Sequence, residues 1–392
     1  MAVTVGRPLV LCVATEASGD TLLASLLPHL MSLAPSYRWE GIGGPLSVDA
    51  GLKSHIDPKT LSAHGLTEAL SVAPAMFNAL KVMSDLLPQA SAVLLVDSPE
   101  LNMRLLKRAS RRSIPVSYLA PPQVWAWRPW RARTLRAASW LGCLFAFEAS
   151  WLRRQGVPAE HIGHPLTSLV TQSHATGDGP CRLLLAPGSR RSTVKASLPL
   201  MLSAALMAIN TRGVTLRRAL ILAVSPWVSE EVERLLDPFR ETLSAQGVQL
   251  SYWDQLTPLR SPHHERYVAL CHAGTATLEL GLAQIPSVVI APLSPLSAFI
   301  AERLIQVPYF SLPNLILNQD VFVEVGPASI NPRRISDEVV KISSPHNYNL
   351  ARDELSALAM MTGEQDKKEL SRKLIEVFHI NQSLYSNSQK CD

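Results

Sequence analysis

The sequence has few cysteines, and their spacing excludes the common zinc and redox motifs. Five cysteines are scattered over 392 residues, with neither a CxxC pair nor a Cys/His cluster. Four of them lie in or beside apolar runs: Cys12, Cys143, Cys181 and Cys271. We interpret these four as small buried hydrophobic residues of a protein kept in a reducing compartment.

Long hydrophobic runs are also missing. The first apolar run, residues 9–14, is too short to span a membrane and lacks a signal-peptide cleavage pattern. No later stretch reaches the roughly 18 apolar residues without charges or breakers that a spanning helix needs. We therefore expect a cytoplasmic protein, and a peripheral position on a membrane stays open.

Acidic side chains are absent between Leu101 and Phe147, where nine Arg or Lys residues and the run Val124-Trp-Ala-Trp-Arg-Pro-Trp130 occur. Basic side chains attract anionic groups, and Trp prefers a site with one apolar and one wet end. A nucleic acid and an anionic membrane surface both fit such a patch. The net charge of +5 is modest for this length, which favours a local patch over a general nucleic-acid coat.

The length exceeds the roughly 250–300 residues over which a single core grows, so we expect two domains. Short apolar runs alternate with helical patterns, which is typical of parallel α/β domains. The predicted strands are residues 8–15, 37–42, 92–97, 115–120 and 141–147, then 182–186, 219–224, 248–253, 268–272 and 287–291. We predict an α/β fold with doubly wound domains over residues 1–170 and 180–345, and a helical tail over 346–392 that packs back on the first domain.

Doubly wound domains bind ligands at the carboxyl ends of their strands, in the cleft between domains, so the loops there are candidate sites. In the loop Glu16-Ala-Ser-Gly-Asp20, Ser18 or Asp20 can cap the next helix, or the loop can face a substrate. Asp97 ends a strand, where partial burial raises a carboxyl pKa toward the range of a general base. An Asp before Ser-Pro is equally an ordinary helix cap.

The tryptophan-rich run has two interpretations. Pro129 suits the first turn of a helix, on which Arg131, Arg133 and Arg136 would share one face with Arg128. That face is either a binding surface or an ordinary solvated surface over a core tryptophan.

Two loops of the second domain are suited to anions. Gly188, Ser189 and Arg190 offer a close backbone approach, a hydroxyl and a guanidinium to a diphosphate, although the P-loop pattern is absent. A helix beginning near Thr275, after Gly274, would aim free amides at a phosphate, and Glu279 could reach a sugar hydroxyl one turn later. Each loop alone is ordinary structure, but two on one sheet edge indicate a binding site.

Taken in order, these motifs resemble the lipid-A-disaccharide synthase family. The matching stretches are Glu16-Ala-Ser-Gly-Asp20, Val96-Asp-Ser-Pro99 with Asn102, Val124-Trp-Ala-Trp-Arg128, Phe147-Glu148, Ile162-Gly-His-Pro165, Pro187-Gly-Ser-Arg190, Gly274-Thr-Ala-Thr-Leu-Glu279 and Ser311-Leu-Pro-Asn314. The resemblance extends to about residue 325.

The resemblance implies a GT-B architecture of two Rossmann-like domains facing across a cleft. It implies an inverting glycosyltransferase that joins UDP-2,3-diacylglucosamine to 2,3-diacylglucosamine 1-phosphate (lipid X), giving lipid A disaccharide 1-phosphate and UDP. It also implies a peripheral protein on the cytoplasmic face of a Gram-negative inner membrane, which favours an anionic membrane surface over a nucleic acid as the partner of the basic patch. A homodimer is compatible with the family.

The resemblance also assigns roles to residues. Asp97 would be the general base, Gly188, Ser189 and Arg190 would hold the diphosphate, and Glu279 would bind the ribose. The remaining implied substrate contacts are Ser18, Gly19 and Asp20 on the acceptor side, Trp127 and Arg128 in the tryptophan run, Gly274 and Thr275 at the leaving group, and Asn314 at the donor site. No Asp-x-Asp motif follows a predicted strand, so we expect no metal and no cofactor.

Four positions depart from the family pattern: Thr193 stands where Glu is usual, Ala273 where Ser is usual, Glu100 where Asp is common, and His64 where Met is usual. A catalytically impaired homologue therefore stays an alternative, as does another UDP-sugar GT-B enzyme, such as a 2-epimerase. A non-enzymatic membrane-binding protein would explain the basic patch but not Asp97 at a strand end. A serine hydrolase is excluded because no G-x-S-x-G elbow occurs.

Overall fold

The computed structural model describes residues 7–388 apart from 62–67, 127, 173–178, 226–227, 263 and 293–307. The chain forms two compact units. The first runs to Pro165 and resumes at Gly363, and the second is Leu166–Thr362.

The first unit is built on a parallel sheet. Its described strands are β1 (Leu9–Ala14), β2 (Arg38–Ile42), β3 (Lys53–Ser54), β4 (Ala90–Val96), β5 (Val116–Leu119), β6 (Trp140–Cys143) and β7 (Ala159–His161). Their order across the sheet is β3-β2-β1-β4-β5-β6-β7, and every pair is parallel. β1 is buried along its whole length because helices cover both faces of the sheet, which explains its unbroken apolar sequence.

Helices flank this sheet. They are α1 (Ala17–Leu33), α2 (Pro45–Asp49), α3 (Glu68–Leu86), α4 (Pro99–Ser110), α5 (Ala132–Leu135) and α6 (Ala146–Arg154). Short 3-10 helices occur at Pro58–Leu61, Leu87–Gln89 and Pro129–Arg131. The core has two parts, one on each side of the sheet: Leu11 and Val13 of β1 belong to one, and Val10 and Cys12 to the other.

The second unit repeats the plan. Its described strands are β8 (Cys181–Ala186), β9 (Leu216–Val224), β10 (Gln249–Asp254), β11 (Tyr267–His272), β12 (Ser287–Ile290) and β13 (Val323–Val325). They lie in the order β10-β9-β8-β11-β12-β13, again all parallel. β8 and β11 are therefore neighbours, with Ala186 opposite Cys271.

The described helices of this unit are α7 (Leu166–Leu169), α8 (Arg191–Ile209), α9 (Ser229–Ala245), α10 (Thr275–Leu282), α11 (Leu312–Leu317), α12 (Pro332–Ser343), α13 (Pro345–Leu355) and α14 (Leu358–Thr362). Further 3-10 helices lie at Thr257–Arg260 and Pro327–Ser329. By length and composition, α8 is apolar enough to cross a membrane. Most of its apolar residues, however, are buried in the core of the second unit.

The last helix, α15 (Lys367–Ser388), belongs to the first unit and packs along α1. Leu370, Leu374 and Phe378 enter the same core as Leu26 of α1. The predicted tail over 346–392 is wrong in its first part, because α13 and α14 pack against α12, α11 and α10 within the second unit. The chain returns to the first unit at Gly363 rather than near residue 346.

Candidate active site

Asp97 follows β4 directly and lies, half-buried, at the carboxyl edge of the first sheet. The Ser98 amide donates to its Oδ1 at 2.9 Å, and the Ser18 hydroxyl donates to its Oδ2 at 3.0 Å. Gly19 lies on the other side, where an added Cβ would be 3.6 Å from the Asp97 Cβ. The structure therefore brings together three predicted site residues, and it fixes the carboxylate with each oxygen hydrogen-bonded.

The backbone of Asp97 is held as firmly as its side chain. Both Asp97 and Ser98 have a φ of +51°, a conformation that costs energy for residues other than glycine. The main-chain oxygen of Asp97 accepts from the Tyr118 hydroxyl at 2.7 Å and from the Asn102 amide at 2.8 Å. The Ser98 hydroxyl bonds to Thr15 at the end of β1. These contacts stabilise a strained turn that presents the carboxylate.

Asp20 caps a helix other than the one predicted for it, and its implied substrate contact stays a prediction. It is buried, and its carboxylate accepts main-chain N–H groups from Gly44 at 2.9 Å, Ser47 at 3.0 Å and Leu46 at 3.1 Å. Asp20 therefore caps α2, which follows β2, and not α1, in which it lies. No side chain caps the start of α1 at Glu16. Both Asp20 oxygens support the loop before α2, so we describe Asp20 as a positioning residue of this edge.

Trp125 is the buried member of the tryptophan run. Its Nε1 donates to Glu148 Oε1 at 3.2 Å, and its ring meets the edge of Phe147 at 4.8 Å between centroids. Phe147 stacks on Phe145, which in turn stacks on His164. Burial raises the pKa of Glu148 to about 8 and lowers the pKa of His164 to about 4. Both groups are therefore uncharged at neutral pH, as an aromatic cluster in the interior requires.

A helical segment begins at Pro129, as predicted, but it is short. A 3-10 turn over Pro129–Arg131 leads into the single turn of α5, and Arg128 precedes it with a φ of +58°. Trp130 is 59% exposed, so it is not the core residue that the alternative interpretation required. Arg131 lies 3.7 Å from Glu100 of α4. Trp127 lies outside the described residues.

The two anion-receptive loops meet at one edge of the second sheet. Gly188, Ser189 and Arg190 follow β8, Gly274 and Thr275 follow β11, and these strands are adjacent. Ser189 and Arg190 are exposed, as are Gly274 and Thr275. The helices α8 and α10 begin here, so both direct free backbone amides toward this edge. Gly188 has a φ of +107°, which allows the turn.

Glu279 lies on α10 with its side chain 15% exposed, 3.6 Å from Arg260. Burial raises the pKa of Glu279, while Arg260 acts in the opposite direction. Two residues near this edge were not predicted from the sequence: Arg260, which no motif contains, and His272, the last residue of β11. A histidine at the end of a buried strand, just before Gly-Thr, is the signal that could have found His272.

Asn314 lies in the first turn of α11 and is fully buried. Its Oδ1 accepts the Phe322 amide at 2.8 Å, and its Nδ2 donates to the Phe322 carbonyl at 2.9 Å and to Glu324 at 3.0 Å. Glu324 also accepts from the amide and hydroxyl of Ser311. Asn314 therefore supports the start of α11, and its implied donor contact stays a prediction.

Among the described residues, no group of three or more His, Cys, Asp or Glu could hold a metal ion.

The chain is similar to known proteins over almost all of its length. The sequence pattern of the family described as lipid-A-disaccharide synthetase matches residues 10–376. The lipid-A-disaccharide synthase of Nitrosococcus oceani is 34% identical over 354 residues, which are 86% of this chain and 87% of the relative. That of Coxiella burnetii is 29% identical over 382 residues, 94% of this chain and 97% of the relative.

Among solved structures, the UDP-GlcNAc 2-epimerase of Neisseria meningitidis, bound to UDP-GlcNAc, aligns with a TM-score of 0.56 at 12% identity. The alignment covers 94% of this chain and 98% of that one. At this identity the similarity concerns the fold alone. Together with the two parallel sheets and their helices, it confirms the predicted GT-B fold class.

Proposed function

Since the chain belongs to the lipid-A-disaccharide synthase family, and is thus a glycosyltransferase of lipid A biosynthesis, we propose that it acts on the substrates its family resemblance implies. It condenses UDP-2,3-diacylglucosamine with 2,3-diacylglucosamine 1-phosphate. The products are lipid A disaccharide 1-phosphate and UDP, and the configuration of the anomeric carbon is inverted. The fixed carboxylate of Asp97 at the carboxyl edge of the first sheet is the observation that carries this proposal.

Asp97 is the general base. Its carboxylate takes the proton of the acceptor 6-hydroxyl while that oxygen forms a bond to the anomeric carbon of the donor. The bond from this carbon to the UDP oxygen breaks, and UDP leaves from the opposite face. The two hydrogen bonds from Ser18 and Ser98 aim the carboxylate before substrate arrives, so little reorganisation is needed during the reaction.

The second unit binds the donor. Arg190, at the start of α8, pairs with the diphosphate, and the exposed amides at Gly274 and Thr275 add the positive end of α10. The charge that develops on departing UDP is stabilised by these groups. Glu279 accepts hydrogen bonds from the ribose hydroxyl groups, with Arg260 holding its carboxylate in place.

The exposed basic surface of the first unit binds a membrane. Trp130 and Arg133 are exposed beside Arg128 and Arg131, a combination suited to an anionic lipid surface from which an acylated acceptor is drawn. We place the protein peripherally on the cytoplasmic face of the inner membrane. Co-sedimentation with vesicles tests this. The protein should sediment with anionic vesicles, less so as Trp130→Ala or Arg133→Ala, and should not sediment with neutral vesicles.

The homodimer stays a prediction that sedimentation velocity can check.

The catalytic proposal is tested with purified protein and both substrates, measuring UDP release and disaccharide 1-phosphate by mass spectrometry. Asp97→Asn is the cleanest variant because Asn tolerates the positive φ that Asp97 adopts. Turnover should fall by about 10²–10⁴-fold with donor binding retained. Asp85→Asn, at an exposed aspartate of α3, is the matched control. A wild-type protein that binds UDP but makes no disaccharide would contradict the proposed reaction.

A further inference from the structure

His272 ends β11 between the two anion-receptive loops. A Cβ added at Gly188 would lie 4.0 Å from the His272 Cβ, so the imidazole starts beside the loop that follows β8. His272 Nδ1 is 2.7 Å from the main-chain oxygen of Ala273. His272 is half-buried, and the neighbouring loop residues Arg190 and Thr275 are exposed.

The contact with Ala273 decides which ring nitrogen carries the proton. A carbonyl oxygen only accepts hydrogen bonds, so Nδ1 must donate, and in the neutral ring Nε2 is an acceptor with a free lone pair. Within the part of the chain that the structure describes, no hydrogen bond to Nε2 is formed. A neutral acceptor is the wrong partner for a phosphate oxygen, which needs a donor.

The protonation state is set by three influences. Burial lowers the pKa of His272 most, the Ala273 carbonyl raises it, and the positive charge of Arg190 lowers it further. From β8 and β12 beside it and from the starts of α8 and α10, Arg190 is the one described charged side chain that acts on the ring. His272 is therefore neutral in the unbound protein at pH 7. The negative charge of a bound diphosphate would offset the positive charge of Arg190 and raise the pKa of His272.

We propose that His272 is a ligand of the donor diphosphate and takes up a proton from solvent at Nε2 as the diphosphate binds. This inference rests on the proposed function and adds to it a residue that the family motifs do not include. The resulting imidazolium donates Nε2–H to a phosphate oxygen and keeps Nδ1–H on the Ala273 carbonyl. It lies where departing UDP gains negative charge, so it also stabilises the leaving group.

Calorimetric titration with UDP-2,3-diacylglucosamine, in two buffers of different ionisation enthalpy, measures the proton directly. The diphosphate of this donor is a diester that does not titrate near neutral pH, so net uptake reports on the protein. The wild type should take up a fraction of a proton at pH 7, and its affinity should rise as the pH falls. His272→Asn keeps a donor for the Ala273 carbonyl but removes the group at Nε2. Its uptake should vanish, and its affinity at pH 6.5 should fall by about 10-fold.

His272→Gln places an uncharged amide near the Nε2 position, and it should bind the donor better than His272→Asn without proton uptake. It also serves as the test if His272→Asn does not fold. His346→Gln, at an exposed histidine of α13 in the same unit, is the control and should behave as wild type. Donor binding without uptake by the wild type, or unchanged uptake in both variants, overturns the role of His272 and leaves the proposed function intact. A wild type that binds no donor overturns the proposed function and the inference with it.

Discussion

Trp125 donates its indole N–H to Glu148 across 3.2 Å in the interior of the first unit. Glu148 is 3% exposed, and burial raises its pKa from 4.5 to about 8. At neutral pH the hydrogen bond therefore joins the indole to an uncharged carboxylic acid. Trp125 lies two residues before the undescribed Trp127 and three before Arg128. The hydrogen bond therefore anchors the loop that carries the basic surface.

Replacing Glu148 with Gln should change how stability depends on pH. In the wild type, the Glu148 carboxyl loses its proton above pH 4.5 in the unfolded chain but keeps it up to about pH 8 in the folded protein. The free energy of unfolding is therefore highest below pH 4.5, with respect to this group, and falls as the pH rises toward 8. Gln accepts the same indole N–H and never titrates. Urea unfolding followed by tryptophan fluorescence should show Glu148→Gln close to wild type near pH 5 and more stable by on the order of 3 kcal/mol near pH 8.

The control is Glu241→Gln at an exposed position of α9, which should leave the pH profile of the wild type unchanged. Parallel stability curves for wild type and Glu148→Gln between these pH values would mean that the buried acid is already ionised in the folded protein.

Substituting Gly188 with Ala should weaken donor binding for two separable reasons. The φ of +107° strains any residue with a Cβ, and the new Cβ would lie 2.6 Å from Thr193 Cγ2. We expect UDP affinity to fall at least about 10-fold, as a loss of roughly 1.4 kcal/mol implies. Fluorescence or calorimetric titration with UDP measures it.

A second substitution separates the two reasons. Thr193→Ser removes Cγ2, so Gly188→Ala with Thr193→Ser should recover the part of the affinity lost to the steric clash and keep the part lost to backbone strain. Gly213→Ala has a φ of +76° but meets no atom within 4 Å, and it controls for strain alone at a distance from the loop. Full recovery in the double variant would contradict the assigned contribution of φ.

The sheets were predictable where strands are long and buried on both faces. β1 is an unbroken apolar run, and β4, β8 and β11 are apolar over most of their length, because helices cover both faces of each sheet there. The strands β3, β7 and β13, of two or three residues each, were not predicted. A strand this short is too brief to show an alternating pattern, and its pairing depends on the neighbouring strand.

The predicted strand over residues 141–147 illustrates a second limit. β6 ends at Cys143 and α6 begins at Ala146, but the apolar run continues across the junction because Phe145 is buried there and stacks on Phe147. An apolar run does not by itself distinguish the end of a strand from the first turn of a helix.

The position of Asp97 could be predicted, but its partners could not. A residue after a parallel strand lies at the carboxyl edge of the sheet whatever the rest of the chain does. Ser18 is 79 positions away in sequence and Tyr118 is 21, so only the packed strands bring them together. The partners of Asp20 could not be predicted either. Its position suggested that it caps the helix next to it in sequence, but its hydrogen-bond partners lie 24 to 27 residues further along the chain.

Asn314 provides a test that separates support from substrate contact. Its side chain makes three hydrogen bonds from α11 to Phe322 and Glu324, and Asn314→Ala would leave the buried Phe322 amide and carbonyl without that partner. We expect the free energy of unfolding to fall by about 2–4 kcal/mol, with the KM for the donor changed less than about twofold. Urea unfolding and steady-state kinetics on the same preparation measure both.

Ser189→Ala gives the opposite pattern and serves as the matched comparison. Ser189 is exposed in the loop after β8, so removing its hydroxyl should raise the donor KM several-fold, by roughly the worth of one hydrogen bond to a charged group, and leave stability unchanged. The family resemblance implies a substrate contact for both residues, but Asn314 is buried and Ser189 is exposed. Comparing the two variants therefore separates a supporting role from a substrate contact. An Asn314→Ala protein of normal stability with a raised donor KM would show that Asn314 contacts the substrate, and the supporting role assigned from its buried hydrogen bonds would be wrong.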